Sequence, residues 1–170
     1  NNHLEKRIKS YVEIKINNWQ QKGEFEKTEE FKLRVNEKKR NIEIQKYQEE
    51  AIQMLKKQHS ERIDYGKIEL KEYDADNETF LMQSADLGEF IVPVDIRNAP
   101  SFKKNFNSCK FKNADFILVK NRFILSSLTI SNFSSSGKQE FVYNSNAKVN
   151  YEPTKIEYNF SEIKVNIVDD

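Results

Sequence analysis

Residues 19–35 read WQQKGEFEKTEEFKLRV, and this stretch separates two long charged segments with helical periodicity. It contains the only Trp of the chain, and Gly23 interrupts the first helical pattern. Thr28 is a residue type that often caps helix N-termini, and two glutamates follow where carboxylates suit the partial positive charge of a helix start. The stretch therefore predicts the corner of a helical hairpin. We expect its three large aromatic side chains to pack together there: Trp19, Phe25 and Phe31.

The helical pattern continues on both sides of this corner. Residues 3–22 repeat apolar side chains at intervals of three and four, which is typical of one buried helix face. Residues 28–62 predict a second, longer helix whose apolar face rotates near Asn41. We expect either a kink at Asn41 or a change of packing partner along this helix.

From Lys67 onward the apolar period changes from 3.6 to 2, which indicates strands. Pro93 should confine its strand to a sheet edge or a bulge, because proline lacks an N–H for the ladder. Pro100 favours a short helix over residues 99–106, since proline suits a first helical turn. The predicted strands are residues 67–73, 79–84, 89–96, 115–120, 122–131, 139–144, 155–160 and 163–167.

The sequence thus predicts an α+β fold in one structural unit. Its parts are an N-terminal helical hairpin over residues 1–64 and a β-rich region over residues 65–170. We expect the latter to form one mostly antiparallel sheet of seven or eight strands.

Composition excludes several classes of protein. Charged residues make up 32% of the chain, yet twelve Phe and seven Tyr supply enough apolar surface to argue against disorder. The net charge of +1 gives no general attraction to nucleic acid or anionic membranes. No apolar run approaches the roughly 18 residues needed to span a bilayer. The single cysteine, Cys109, excludes an internal disulfide.

Few residues indicate a metal-binding, catalytic or nucleic-acid-binding site. His3 and His59 are far apart in sequence and lack neighbouring metal ligands, so we expect both to be solvated. Cys109 has no recognisable catalytic partner, and we interpret it as a buried structural thiol. The basic run at residues 38–40 is flanked by glutamates, which favours a solvated helix face over a nucleic-acid site.

An acidic cluster at residues 74–78, DADNE, provides the only candidate metal ligands: Asp74, Asp76 and Glu78. A calcium loop of the EF-hand type would need Gly at its sixth position and an acid at its twelfth, where this chain has Thr79 and Ala85. We favour a hairpin turn in which Asx side chains bond the backbone. We therefore expect no metal and no cofactor.

Four stretches together resemble an uncharacterised bacterial domain: WQQKGEFEKTEEFKLRV at 19–35, YDADNETFLMQ at 73–83, GEFIVPVDIRNAPSFKKNF at 88–106 and DFILVKNRFILSSLTIS at 115–131. Such domains occur at the end of larger multidomain proteins, some with caspase-like peptidase or repeat domains. The resemblance implies an accessory module and brings no activity or site residues with it. It also implies that the sequence is part of a longer polypeptide.

These observations favour a non-catalytic interaction or scaffold module over an enzyme. We expect its partners to be proteins or other domains of the same polypeptide, with no nucleic acid and no membrane span. Two alternatives remain open. One is a ligand- or nucleic-acid-binding β-domain, indicated by an apolar pocket or a basic sheet face. The other is an enzyme with an unrecognised site, indicated by carboxylates with shifted pKa values in a cleft.

Overall fold

The computed structural model describes residues 3–145 and 155–164. Helices come first, and the change to strands occurs between Glu61 and Glu69, which confirms the α+β class. The helices are α1 His3–Trp19, α2 Thr28–Arg34, α3 Glu37–Glu61 and α4 Ala99–Lys104. The strands are β1 Glu69–Asp74, β2 Thr79–Ser84, β3 Gly88–Pro93, β4 Lys110–Val119, β5 Arg122–Ser134 and β6 Gly137–Asn144.

The strands form two antiparallel sheets of three, in the orders β1-β2-β3 and β4-β5-β6. The prediction of one sheet with seven or eight strands is therefore wrong. Pro93 ends β3, an edge strand, as its missing N–H predicts. Residues 155–160 and 163–164 form no strand, and the remainder of the stretch predicted at 163–167 lies outside the described residues.

The described chain divides into two compact units. One, here called the helical unit, consists of residues 3–55 together with residues 155–164. The other, the β unit, consists of residues 56–145. The division falls within α3, after Leu55, whereas the change of secondary structure follows Glu61.

In the helical unit, α3 continues through Asn41, so of the two alternatives expected there the kink does not occur. The single helix predicted over residues 28–62 is instead interrupted between Arg34 and Glu37. Val35 adopts extended backbone angles at the end of α2, and its side chain is buried. Asn36 then accepts a hydrogen bond from the Lys39 N–H at 2.9 Å, so an Asn cap begins α3 afresh. The unit has three helices rather than two. Its buried apolar side chains are Ile8, Val12, Ile16, Phe31, Val35, Ala51, Ile52 and Leu55.

In the β unit, one core extends from the end of α3 through both sheets to α4. Phe102 on α4 stacks on Phe80 of β2, with ring centroids 5.2 Å apart, and meets Phe141 of β6 edge-to-face at 5.0 Å. The short helix predicted at 99–106 thus supplies the side chain that contacts both sheets. Fully buried core residues include Phe80, Met82, Val92, Val94, Phe102, Phe116, Leu128 and Ile130.

Candidate functional site

The corner between α1 and α2 is organised by Arg34, a residue that no sequence motif indicated. Its Nη1 donates to the Trp19 carbonyl at 2.5 Å and its Nη2 to the Gln21 carbonyl at 2.9 Å. Trp19 is the last residue of α1 and Gln21 lies just after it, where backbone acceptors have no intrahelical partner. Arg34 therefore caps α1 from a different helix.

The same guanidinium holds the turn that precedes α2. Arg34 Nε donates to Glu26 Oε2 at 2.7 Å and Nη2 donates to Glu26 Oε1 at 3.0 Å, a two-point ion pair. Glu26 Oε1 also accepts from the Gly23 N–H at 3.1 Å. The hydrogen bond from Arg34, followed by the one from Gly23, lowers the pKa of Glu26 to about 2. One side chain thus fixes both the end of α1 and the turn over residues 23–26.

The aromatic side chains of the corner do not form the expected shared cluster. Phe31 is buried and Trp19 is half-buried, and the Arg34 guanidinium lies 5.6 Å and 5.9 Å from their ring centroids. Phe25 is 93% exposed, so its expected packing with the other two is wrong. The cation of Arg34, close to the rings of both Trp19 and Phe31, stands where a cluster of three aromatic rings was predicted.

The helix start at the corner also differs from the prediction. Lys27 is the N-cap of α2, and Thr28 is the first helical residue, so Thr28 does not cap the helix. Instead, the Lys27 N–H donates to Glu30 Oε2 at 3.3 Å. A glutamate of the first turn therefore reaches back to the cap residue, as in one half of a capping box.

A second arrangement in the helical unit is the capture of residues 155–164 by α1 and α3. Ser161 is held at both of its backbone groups: its N–H donates to Asn17 Oδ1 at 3.0 Å, and its carbonyl accepts from Gln20 Nε2. Gln20 is buried, and Gln48, also buried, donates to the Tyr158 hydroxyl at 2.6 Å. Buried amides therefore bind this segment where strand partners were predicted.

The basic run contributes to the same arrangement. Lys38 and Lys39 are exposed, as expected for a solvated face. Arg40, in contrast, lies 5.3 Å from the centroid of the Phe160 ring and donates to Gln20 Oε1 at 3.3 Å. The run is therefore not uniformly solvated, because its last member packs against the captured segment.

The acidic cluster forms the Asx turn that the sequence predicts. Asp74 Oδ1 accepts from the Asp76 N–H at 3.0 Å and from the Asn77 N–H at 3.1 Å, and the side-chain amide of Asn77 donates to Oδ2. These bonds lower the pKa of Asp74, the largest effect coming from the Asn77 side chain. The Glu78 carboxylate instead accepts a hydrogen bond from the Ile96 N–H at 2.8 Å.

Asp74, Asp76 and Glu78 are thus not brought together as a ligand set. Across residues 3–145 and 155–164, no group of three or more His, Cys, Asp or Glu side chains could hold a metal ion.

Of the two histidines, His3 is exposed, as expected, but His59 is not simply solvated. Its ring meets Phe116 edge-to-face at 4.8 Å and lies 5.2 Å from Phe123. Burial, and then the charge of Arg62, lower the pKa of His59, although Asp86 acts in the opposite direction. His59 is thus a packing residue of the β unit.

Cys109 is a half-buried thiol. Its Sγ accepts from Asn132 Nδ2 at 3.0 Å, and burial raises its pKa. A thiol with a raised pKa is a poor nucleophile, which agrees with the structural interpretation.

Comparisons of the chain with protein-family models, with curated proteins and with solved structures found no match. Within the described residues, none of the helices is both long and apolar enough to cross a bilayer.

Proposed function

We propose that this chain is a non-catalytic protein-interaction module of a larger bacterial protein, and that Phe25 anchors its contact. The observation that carries the proposal is the position of this side chain. A large aromatic ring that is 93% exposed contributes almost nothing to the core of its own chain. Aromatic side chains of this kind are enriched at protein interfaces.

The backbone that presents Phe25 is held in place. Gly23 and Glu26 bracket the residue, joined by a backbone hydrogen bond of 3.2 Å from the Glu26 N–H to the Gly23 carbonyl. Arg34 then holds the Glu26 carboxylate by two hydrogen bonds. A rigid turn loses little conformational freedom when a partner binds, and such preorganisation raises affinity.

The surroundings of Phe25 suit an interface. Glu24 and Lys27, on the same turn, are exposed and carry opposite charges. An apolar anchor with polar neighbours matches the arrangement of a hydrophobic centre and a polar rim. The partner that fits is a protein with an apolar pocket large enough for one phenyl ring. Leu33 on α2, 76% exposed, is a second apolar side chain available for contact.

Site-directed photocrosslinking tests the proposal. A benzophenone amino acid is placed at position 25 of the longer protein in its native cells, and at Glu49 on the exposed face of α3 as the matched control. We expect a discrete crosslinked protein from position 25 only. The same products from both positions would contradict an anchor at Phe25.

The captured protein is then purified and its binding measured. Phe25→Ala should weaken binding by about tenfold or more, as expected for an interface hot spot. The neighbouring control Glu24→Ala should change affinity by less than about threefold. Phe25→Ala should leave the melting temperature unchanged, because the ring is exposed. Equal affinities of the two variants would contradict the proposal, and so would a large loss of stability.

A further inference from the structure

The β unit contains an apolar pocket between its first sheet and α4. Its volume is about 360 Å³, and its walls include Tyr73, Phe80, Ile96 and Pro100. Pockets for small molecules typically occupy about 300–1,000 Å³ and have mostly apolar walls with a few polar groups. The pocket is therefore large enough for one small ligand.

The floor of the pocket is fixed by packing beneath it. The Tyr73 and Phe80 rings lie 4.6 Å apart, and Phe80 stacks on the buried Phe102. The Tyr73 hydroxyl already donates to the Val94 carbonyl at 2.7 Å. Tyr73 therefore offers a ligand its ring rather than its hydroxyl.

The wall formed by Ile96 is held by Glu78. The Glu78 carboxylate accepts from the Ile96 N–H at 2.8 Å, while its backbone carbonyl accepts from the Val94 N–H at 2.9 Å. Glu78 makes both contacts from a left-handed conformation with φ of 53°, which is uncommon for residues other than glycine. These bonds keep Ile96 at the side of the pocket, although its side chain is half exposed.

Of the described residues that line the pocket, Lys103 alone carries a charge. It lies in the last turn of α4, and no carboxylate in the described part of the chain pairs with it. An ammonium group at the edge of an apolar pocket complements a ligand with an apolar body and one anionic end. One positive charge matches a monocarboxylate better than a phosphate group, which carries about −1.5 to −2 at neutral pH.

We propose that the β unit binds a small amphiphilic monocarboxylate in this pocket, with its apolar body on Tyr73 and Phe80 and its carboxylate beside Lys103. This site is separate from the contact proposed for Phe25, so either proposal can fail without the other. A ligand with about ten non-hydrogen atoms, such as octanoate, should bind with a dissociation constant of about 1 mM or lower.

Titration of the full chain with octanoate, followed by amide NMR, tests this site. We expect saturable shifts at Ile96, Ala99 and Lys103. Lys103→Met should weaken octanoate binding by about threefold or more, the size expected for one exposed ion pair. Lys104→Met, a change of the adjacent exposed lysine that does not line the pocket, is the matched control and should have no effect.

Two further measurements distinguish the contribution of the ligand's apolar body to binding from the contribution of its charge. Neutral octan-1-ol should bind equally to the unmodified protein and to the Lys103→Met variant. Ala75→Phe should abolish binding without unfolding the protein, because Ala75 is an exposed wall residue that the larger ring would extend across the pocket. Absence of saturable binding, or equal loss in the Lys103→Met and Lys104→Met variants, would overturn the proposal. Pocket shifts that follow protein concentration without octanoate would also overturn it, since they would indicate a second copy as the occupant.

Discussion

Arg34 shows how much of a corner can depend on one side chain. It makes four hydrogen bonds to three residues, two of them to backbone carbonyls at Trp19, the last residue of α1, and at Gln21 just after it. Lysine carries the same charge, but it lacks the planar fork that reaches several acceptors at once. The corner should therefore be sensitive to the shape of this side chain as well as to its charge.

We expect Arg34→Lys to lower the free energy of unfolding by roughly 1–3 kcal/mol, because the two carbonyls would lose their partners. Urea unfolding followed by circular dichroism measures this change. The control is Arg97→Lys in the β unit, where the arginine is exposed and forms its ion pair with Asp95. That control should change stability by less than about 1 kcal/mol. Equal effects of the two substitutions would argue against Arg34 as the cap of α1.

The same site predicts a pH dependence. The pKa of Glu26 is about 2 in the folded protein, below its ordinary value of 4.5. A depressed carboxyl pKa contributes stability that is present above pH 4.5 and is lost as the pH falls toward 2. Carbon-13 NMR of the Glu26 carboxyl should give a titration midpoint near 2, which should return toward 4.5 in the Arg34→Met variant. A midpoint above 4 in the unmodified protein would contradict the ion pair.

At the scale of elements, the segment at residues 155–164 is the main departure from the predicted fold. Its half-buried residues, Ile156, Tyr158 and Phe160, alternate with exposed ones, as in a strand with one buried face. Any extended segment that packs one side on a surface gives the same alternation. Sequence periodicity therefore indicated the one-sided burial of this segment correctly, but it could not distinguish a sheet from a pair of helices as the packing partner.

The hydrogen bond between Gln48 and Tyr158 allows this packing to be tested. Tyr158→Phe should lower the free energy of unfolding by about 1–3 kcal/mol, because it leaves the buried Gln48 amide without its hydrogen-bond partner. Gln48→Leu combined with Tyr158→Phe should be less destabilising than the sum of the single changes. A double-mutant cycle measured by urea unfolding gives this coupling.

The control for this cycle is Tyr143→Phe, which changes a half-buried tyrosine of β6 and keeps its ring contact with Phe90. It should have a smaller effect than Tyr158→Phe. Strict additivity of the two changes at Gln48 and Tyr158 would show that the segment is not held by this hydrogen bond.

At the scale of the whole molecule, Phe102 makes contacts that connect several elements of the β unit, although no sequence motif indicated this role. It is 1% exposed, contacts the rings of Phe80, Phe106 and Phe141, and its carbonyl accepts from Asn132 at 3.2 Å. These contacts join α4 to both sheets. The residue lies in a six-residue helix, so helical periodicity could not reveal its importance.

Phe102→Ala should destabilise the β unit by about 3–5 kcal/mol, as expected for a large aromatic side chain removed from a core. Hydrogen exchange at the amides of β2 and β5 reports this loss directly. Phe133→Ala on β5 is a suitable control, because that ring is 36% exposed and should cost less. Similar losses from both substitutions would contradict the central position of Phe102.

The parts of the fold that depend on local pattern could be predicted from the sequence. β2 begins at Thr79 and ends at Ser84, as the alternation and its flanking turns indicate. Two sheets instead of one could not be predicted, because the pattern within a strand does not specify its neighbour. Arg34 was missed for a related reason: its partners at Trp19 and Gln21 are backbone carbonyls, which leave no trace in residue identity.

The hydrogen bond from Gln48 to Tyr158 affects the order in which the protein folds during translation. The two residues are 110 positions apart, and all of β1–β6 is encoded between them. Ribosomes add about 5–20 residues per second, so roughly 5–20 s pass between the translation of Gln48 in α3 and that of Tyr158. During that interval the Nε2 groups of Gln20 and Gln48 lack the oxygen acceptors that they bind in the finished protein. Although α1 and α3 precede all of β1–β6 in this sequence, they therefore complete their contacts only after those strands have been translated.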